Sequence, residues 1–447
     1  MTLMAPNDIY ENAAARETIL ALATGHVRSA VAILRLSGPK SRFVLETMAG
    51  TCPDPRRASL RHLRSPTTGE ILDHALVFWF PGPASFSGED MVEFHVHGGT
   101  AVIGAVIAAI LDIPRCRLAE PGEFSRRAFL AGRLDLSEAE GIADLVDAET
   151  ELQRRQALRQ MDGALSTAVE EWRDRLVDCL AEVEAELDFS DEGDVPDSLA
   201  DAVRPRVAAV RSEIVAALAD GRRGERLREG FTVVITGAPN AGKSTLFNRL
   251  LQREAAIVTS IPGTTRDVLE TSLDIDGLPV VLIDTAGLRL TEDVVEKEGI
   301  RRALLRAERA DLVLALETFD SPPQPSAWPA PTLRIWTKAD LRHAPSDFEG
   351  LAVSSTEGEG IGELQDAIAH RAREALGSGT ALVTRERHRE ALVTALAALD
   401  RGIEPDKPPE FFAEDLRLAL RGLGRVTGHV GVEDILDRVF SSFCIGK

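Results

Sequence analysis

The chain is short of positive charge and of cysteine, and it has no long apolar run. Its 447 residues carry 51 Lys and Arg against 71 Asp and Glu, a formal charge of −20. That balance excludes a blanket nucleic-acid binder, because attraction to polyphosphate has to come from a local patch or from a partner. The four cysteines, Cys52, Cys116, Cys179 and Cys444, are scattered without Cys-x-x-Cys spacing. This argues against a disulfide framework and against a zinc site. No apolar stretch approaches the roughly eighteen residues that a membrane helix needs. The N-terminus shows no apolar core behind basic residues, the mark of a signal peptide. A soluble, cytoplasmic protein of two to four domains, with no membrane partner, is the expectation.

The most informative stretch is Gly237-Ala-Pro-Asn-Ala-Gly-Lys-Ser244, a G-x-x-x-x-G-K-S loop after the apolar run Phe231–Thr236. Strand, glycine loop and then a helix from near Ser244 is the context in which this motif cradles phosphate. Gly237 and Gly242 let successive amides of the loop, from Asn240 and Ala241 on to Thr245, point at phosphate oxygens. Lys243 is placed to reach the β- and γ-phosphates, and the Ser244 hydroxyl to hold Mg²⁺. Three later stretches choose the base. Gly263-Thr264-Thr265-Arg-Asp267, about twenty residues beyond the loop and just after Thr259-Ser260-Ile261-Pro262, carries a switch threonine, Thr265, for Mg²⁺. Asp284-Thr285-Ala286-Gly287 closes the apolar run Val280–Ile283 with a Walker-B-type carboxylate. Thr337-Lys338-Ala339-Asp340 closes another strand, and a carboxylate there accepts the two N–H groups of a guanine edge, which adenine lacks. Thr337 stands where Asn is common, a departure that leaves the base-reading Asp340 in place. Ser354 and Ser355 complete the base pocket. These ordered motifs specify GTP rather than ATP, with Mg²⁺.

The flanks are organised differently. Residues 1–130 read as mixed α/β, with strands at Ala30–Leu36, Ala75–Phe80 and Met91–His97 and a helix at Thr100–Leu111. On the third strand Glu93, His95 and His97 share one face. That face has three readings: metal ligands, a solvated polar surface, or a pocket in which a carboxylate meets an N–H-rich heterocycle. From Ser137 the period becomes helical, with Ser137-x-x-Glu140 read as a capping box. Met161, Leu165, Val169, Trp172, Leu176, Leu180, Val183 and Leu187 form one apolar stripe. A further helix, 199–228, ends in Arg222, Arg223, Arg226 and Arg228, which suit either RNA phosphate or a helix C-terminus. Asp276-Gly277 reads as a hairpin turn. The chain is helical again from about Thr384. The expected division is 1–130, 131–228, a G domain at 229–375, and 376–447, the two helical parts forming one bundle around an inserted doubly wound, Ras-like P-loop G domain.

The whole chain resembles the MnmE (TrmE) family of tRNA-modifying GTPases. The resemblance rests on Ile33-Leu-Arg-Leu-Ser-Gly38, Phe86-Ser-Gly-Glu-Asp90, Pro121-Gly-Glu-Phe124, Arg127-Ala-Phe-Leu130 and Leu134-Asp-Leu-Ser-Glu-Ala139. The G motifs and the terminal Cys444-Ile-Gly-Lys447 add to it, and the coverage runs from about residue 25 to the end. The family implies a modification at C5 of the wobble uridine of tRNA, aminomethyl or carboxymethylaminomethyl, made with a flavin-dependent partner (MnmG, also called GidA). It implies a homodimer whose N-terminal α/β domain binds 5,10-methylene- or 5-formyl-tetrahydrofolate through Arg35, Glu93, Arg133 and Lys447. Arg133 stands where the family often has Lys, which keeps charge but not geometry. In the G domain the residue after Gly287 is Leu288, which cannot orient water as the glutamine of Ras-like proteins does. The resemblance supplies K⁺ instead, held by Asn240, Thr259, Ile261 and Thr264 when two G domains meet, with Glu296 orienting water and Arg289 supporting it. Cys444 invites a covalent role near the one-carbon unit. The competing reading is a regulatory GTPase of the ribosome-assembly type, which needs neither the Phe-Ser-Gly-Glu-Asp loop nor the Cys-Ile-Gly-Lys tail.

Overall fold

A computed structural model of the chain describes residues 17–25, 28–188, 199–238, 240–253, 270–284, 310–319, 330–405, 407–430 and 433–446. It divides into two compact units, Met1–Ala143 with Thr427–Lys447, and Asp144–Val426.

The first unit is built on β1 (Thr18–Leu22), β2 (Val31–Ser37), β3 (Ser59–Arg64), β4 (Ile71–Phe80), β5 (Met91–His97) and β6 (Cys116–Leu118), in the order β3-β4-β5-β2-β1-β6. All the pairs are antiparallel except β1 with β6. Alternation along β2 and β5 sends Leu34, Leu36, Val92, Phe94 and Val96 into one core, which also takes residues from α1 (Ser41–Ala49) and α2 (Thr100–Leu111). The opposite face carries Arg35, Glu93 and His95. Short α3 (Glu123–Leu130) follows, and then α4 (Leu136–Asp147).

The cap of α4 lies two residues earlier than Ser137-x-x-Glu140. Asp135 Oδ1 accepts from the Glu138 amide at 2.9 Å, and Glu138 Oε2 accepts from the Asp135 amide at 2.8 Å. Ser137 is the second helical residue, and its hydroxyl donates to Asp135. A carboxylate therefore took the capping position that the hydroxyl was expected to hold.

In the second unit come α5 (Glu151–Met161), α6 (Ala164–Asp188) and α7 (Leu199–Glu229), then the G-domain sheet. The apolar stripe is broken at Gly163 (φ +80), so Met161 ends α5 and the rest belongs to α6. Leu165, Val169, Trp172, Leu176 and Val183 are buried in one core with residues of α7, α10 (Glu386–Gly402) and α11 (Pro409–Thr427). One bundle is thus assembled from both flanks of the G domain.

The arginines at the end of α7 are largely neutralised within this unit: Arg223 pairs with Asp220, Arg226 with Asp311 and Arg228 with Asp144, at 3.0–3.1 Å. Asp311 is pushed above the usual carboxylate range because it is buried. These pairs anchor the last turn of α7 beside the strands it leads into.

The G sheet comprises β7 (Phe231–Gly237), β8 (Glu270–Ile275), β9 (Leu278–Asp284), β10 (Leu312–Glu317), β11 (Thr332–Trp336) and β12 (Leu351–Ala352), in the order β12-β11-β10-β7-β9-β8. It is parallel except for the β8–β9 hairpin, whose turn residues Asp276 and Gly277 both have positive φ. The other helices of this unit are α8 (Lys243–Arg253) and α9 (Ile361–Leu376). Every residue of β9 is buried, as expected of a strand covered on both faces. The carboxyl ends of β7, β9 and β11 bring three of the sequence motifs to one edge, where doubly wound sheets bind ligands.

The chain ends in α12 (Glu433–Ser441), which belongs to the first unit. No helix among the described residues is long and apolar enough to cross a membrane.

Candidate nucleotide and heterocycle sites

The phosphate loop begins at the end of β7. Gly237 sits at φ +154, and a Cβ there would lie 2.7 Å from the Leu316 carbonyl oxygen, so the strand-to-loop turn admits only glycine. Asn240 adopts the left-handed conformation (φ +64), which Asn tolerates better than most residues. Gly242 is also left-handed, and Ala241 is buried beneath the loop. The Lys243 ammonium donates to the carbonyl oxygens of Gly237 (2.8 Å) and Ala238 (2.9 Å), so the cation sits inside the curl of its own loop. Ser244 and Thr245 are exposed at the start of α8. The Ser244 hydroxyl donates to Asp284 Oδ2 at 3.1 Å. Asp284, 7% exposed, ends β9 beside Ile235 of β7. A hydroxyl and a carboxylate so placed, next to a lysine and a curl of amides, are the hard oxygen donors that a hydrated Mg²⁺ takes beside a polyphosphate.

The base-reading loop begins at Thr337, whose role the sequence did not disclose. Its buried hydroxyl donates to the Ala241 carbonyl at 2.8 Å, tying this loop directly to the phosphate loop. Lys338 is left-handed, and the Ala339 amide donates to Val353 at 3.2 Å, which brings the Ser354–Ser355 stretch alongside. The Ser354 side chain is buried, accepts from the Glu357 amide and bonds Thr356, so it shapes its own loop. Asp340 is exposed at the turn. Thr259–Thr265, Thr285–Gly287, Leu288, Arg289 and Glu296 lie outside the described residues, and so does Lys447.

In the first unit Arg35 and Glu93 stand opposite each other on β2 and β5. Arg35 Nε donates to Glu93 Oε1 at 3.0 Å, and His95 Nε2 lies 3.2 Å from Glu93 Oε2. The Arg35 guanidinium lies about 6 Å from the ring centres of both Phe86 and Phe124, and it donates to the Gly446 carbonyl at 3.4 Å. His97 turns away to Asp73, with 2.7 Å between Nδ1 and Oδ1. The strand face is therefore an internally paired polar cluster rather than a solvated surface. No cluster of three or more His, Cys, Asp or Glu suited to a metal exists among the described residues.

The loop carrying Phe86 is fixed from behind by a charge network. Arg127 donates to Glu89 (3.0 Å) and Glu123 (2.9 Å), and Arg117 donates to Glu123 at 2.6 Å. Burial works to raise the Glu123 pKa, but hydrogen bonds from Arg117, the Glu120 amide and Arg127 bring it below its usual range.

The C-terminal tail is docked. Phe440 and Phe443 are buried against each other (5.3 Å between rings) and against Leu136 and Ala139. A Cβ on Gly446 would meet the Leu22 carbonyl oxygen at 2.7 Å, so the tail passes close over β1. Cys444 is exposed, and its carbonyl accepts from the Gly122 amide. Arg133 is exposed, its stem packs beside Gly88 of the Phe86 loop, and it lines a cleft of about 370 Å³ with Glu138, Thr427 and His429.

The chain is similar to the tRNA modification GTPase MnmE of Methylorubrum populi, 60% identical over 96% of this chain and 98% of that protein. MnmE of Methylobacterium radiotolerans is 55% identical over 96% of this chain and 99% of its own. The solved G domain of the T. maritima FeoB iron transporter is 26% identical over 32% of this chain and 98% of its own, with a TM-score of 0.23. The family described as "GTP-binding protein TrmE N-terminus" matches residues 18–133, and that described as "MnmE helical domain" matches 136–444. The match therefore opens at β1, some residues before the start expected from the sequence. With both family descriptions and near full-length relatives in agreement, the chain belongs to the MnmE family.

Proposed function

We propose that this protein is a GTPase of tRNA modification, activated by K⁺. With a flavin-dependent partner it adds an aminomethyl or carboxymethylaminomethyl group to C5 of a wobble uridine in tRNA. The one-carbon unit comes from tetrahydrofolate. The carrying observation is the pairing of Ser244 with Asp284 at 3.1 Å after the Lys243 loop, the hydroxyl and carboxylate that P-loop proteins use to hold a phosphate-bound Mg²⁺. Guanine recognition belongs to Asp340, held close by the Thr337 and Ala339 hydrogen bonds.

Bound Mg²⁺ would neutralise charge on the phosphates, with Ser244 and Thr265 as its protein ligands. Asn240, Thr259, Ile261 and Thr264 would hold K⁺ near the same phosphates, and Arg289 and Glu296 would serve the water in place of a glutamine. Two copies of the G domain complete that cation site, so the working form is a homodimer. Folate belongs with Arg35 and Glu93, walled by Phe86, Phe124 and the tail, with Lys447 close by in sequence. The Arg35–Glu93 pair suits a pterin, whose 2-amino and ring N–H groups match a carboxylate. Arg133, beside Gly88 of the Phe86 loop, would add a further cation to this pocket, and the exposed Cys444 would be accessible for a covalent role. The division at 1–130, 131–228, 229–375 and 376–447 and a cytoplasmic location go with this reading.

The test is the initial rate of GTP hydrolysis in K⁺ and in Na⁺ at matched ionic strength. Strong stimulation by K⁺ that disappears in Asn240→Ala is the expected result. Equal rates in the two salts would overturn the cation reading and favour a regulatory GTPase.

A further inference from the structure

Positive charge is scarce in this chain, and one stretch keeps it uncompensated. From Pro55 to Gly69 the sequence carries Arg56, Arg57, Arg61, Arg64 and His62 and no Asp or Glu, in a protein of net charge −20. Edge strand β3 lies inside that stretch and pairs only with β4. Among the described residues only Arg57 of the four arginines meets a carboxylate, Asp54 at 3.6 Å, and with both side chains 77% exposed water screens the pair. The other three guanidinium groups donate to carbonyl oxygens, which leave their charge intact: Arg56 to Ala84, Arg61 to Leu60 and Arg64 to Gly69. Arg56 is also held over the Phe80 ring, 5.8 Å from its centre. Elsewhere in the same unit Arg117 and Arg127 are closed by Glu17, Glu89 and Glu123.

Leu63 is buried in the core, so Leu60, His62 and Arg64 stand on the opposite face of β3, with Arg61 half-buried at the rim. That open face is the one that carries Arg35 and Glu93. By register Leu60 meets Leu76, Leu76 meets His95, and the next row is Phe78, Glu93 and Arg35. Strand β3 is two strands from β5, about 10 Å across the sheet at about 4.8 Å per strand. His62 and His74 are cross-strand partners, both exposed, with 4.1 Å between ring centres. Exposed flat rings among arginines offer what an unpaired RNA loop takes, charges for its phosphates and a platform for a splayed base. Arginine on an edge strand also blunts edge-to-edge pairing. That need ends with the strand, whereas Arg56 and Arg57 lie before it.

We propose that β3 and the residues leading into it form the surface that holds the anticodon loop of tRNA, with the four arginines on phosphates and the His62–His74 pair under a base. This rests on the tRNA reading above. A loop laid along β3 brings a wobble base toward the Arg35–Glu93 pocket, where that reading puts the one-carbon donor.

The experiment is fluorescence anisotropy of the full-length protein with a labelled, transcribed tRNA whose wobble position is an unmodified uridine, across a series of salt concentrations. Wild type is compared with Arg57→Gln/Arg64→Gln, with Arg57→Lys/Arg64→Lys as the charge-conserving control, and the GTPase rate of each checks folding. Each phosphate contact on a single strand contributes about 0.7 to the slope of log affinity against log salt. The glutamine variant should lose about 1.4 of that slope and bind about twentyfold more weakly at about 0.1 M salt, while the lysine variant stays within a few-fold. A second arm needs no variant: 4-thiouridine in the anticodon loop, cross-linked to wild type, should label the segment from Arg56 to His74. Unchanged affinity and slope in the glutamine variant, labelling confined to other segments, or no tRNA binding by wild type overturns the surface. Normal binding by the glutamine variant, with loss of modified uridine in cells that carry it, gives the strip to a protein partner and overturns the proposal too. The modified-uridine content of tRNA from cells lacking the protein is measured separately. If it is unchanged, the tRNA reading fails and the proposal with it; if it falls, that reading stands whatever the binding gives.

Discussion

The Thr337 hydroxyl donates to the Ala241 carbonyl at 2.8 Å, with both groups buried. One hydrogen bond thus joins the loop that reads the base to the loop that holds the phosphates, so the two halves of a nucleotide are bound at a fixed spacing. The same hydroxyl also lies 3.1 Å from the Glu317 carbonyl, on the strand between them. Asn, the usual residue at this position, could make the same donation through its amide.

Replacing Thr337 by Val keeps the shape and removes the donor, leaving the Ala241 carbonyl buried and unsatisfied. A cost of about 1–3 kcal/mol is expected, seen as GTP binding roughly tenfold weaker or more. Thr337→Asn should bind GTP within a few-fold of the parent. Titration with a fluorescent GTP analogue measures both, and equal loss in the two variants would show that the hydroxyl is not a positional link.

Asp340 is exposed at the turn after Thr337, free to meet a base edge. In Asp340→Asn the side chain presents a donor where guanine presents N–H groups. GTP affinity should fall by about a hundredfold or more, and XTP, with a carbonyl in place of the 2-amino group, should become the better ligand. Competition between the two nucleotides decides it. An unchanged preference for GTP would place base recognition elsewhere.

Glu123 is buried between Arg117 and Arg127, and its pKa is held below the ordinary glutamate range. A carboxyl depressed in the folded state adds stability that is fully present above its unfolded value, about 4.3, and is lost as pH falls through the folded value. Urea midpoints should therefore drop as the pH falls below about 4.5, through the depressed folded value. Glu123→Gln should be less stable at pH 7, because two arginines lose a buried partner, and its midpoint should change less over that acid window. A variant with the same acid slope as the parent would assign the acid sensitivity to other carboxylates.

The sequence by itself determined the local chemistry. A G-x-x-x-x-G-K-S loop behind an apolar strand dictates a phosphate cradle, because only glycines fit its backbone and the lysine and serine follow at fixed offsets. Strand β5 was legible to the residue from its alternation, and the helix Thr100–Leu111 from its apolar spacing. Short or edge elements were less visible: β1, β3 and β6 carry no strong period, and the Ser137-x-x-Glu140 pattern drew attention from the Asp135 cap two residues earlier.

Tertiary structure alone decided how separate signals were joined. Nothing in the sequence says that Thr337 reaches back to Ala241, because that bond spans 96 residues and depends on β7, β10 and β11 lying side by side. Nor could composition tell whether the arginines at the end of α7 faced RNA or carboxylates of the same unit. The face of β5 was readable as polar, but only pairing with β2 turned Glu93 toward Arg35 and left His95 on the other oxygen. The tail could have been a frayed end. Burial of Phe440 and Phe443 against α4 docks it, and a contact between residues 35 and 446 exists only in the folded chain. Local motifs set which chemistry is available. Long-range packing sets which groups meet, because partners far apart in sequence are brought together only when a shared core holds them.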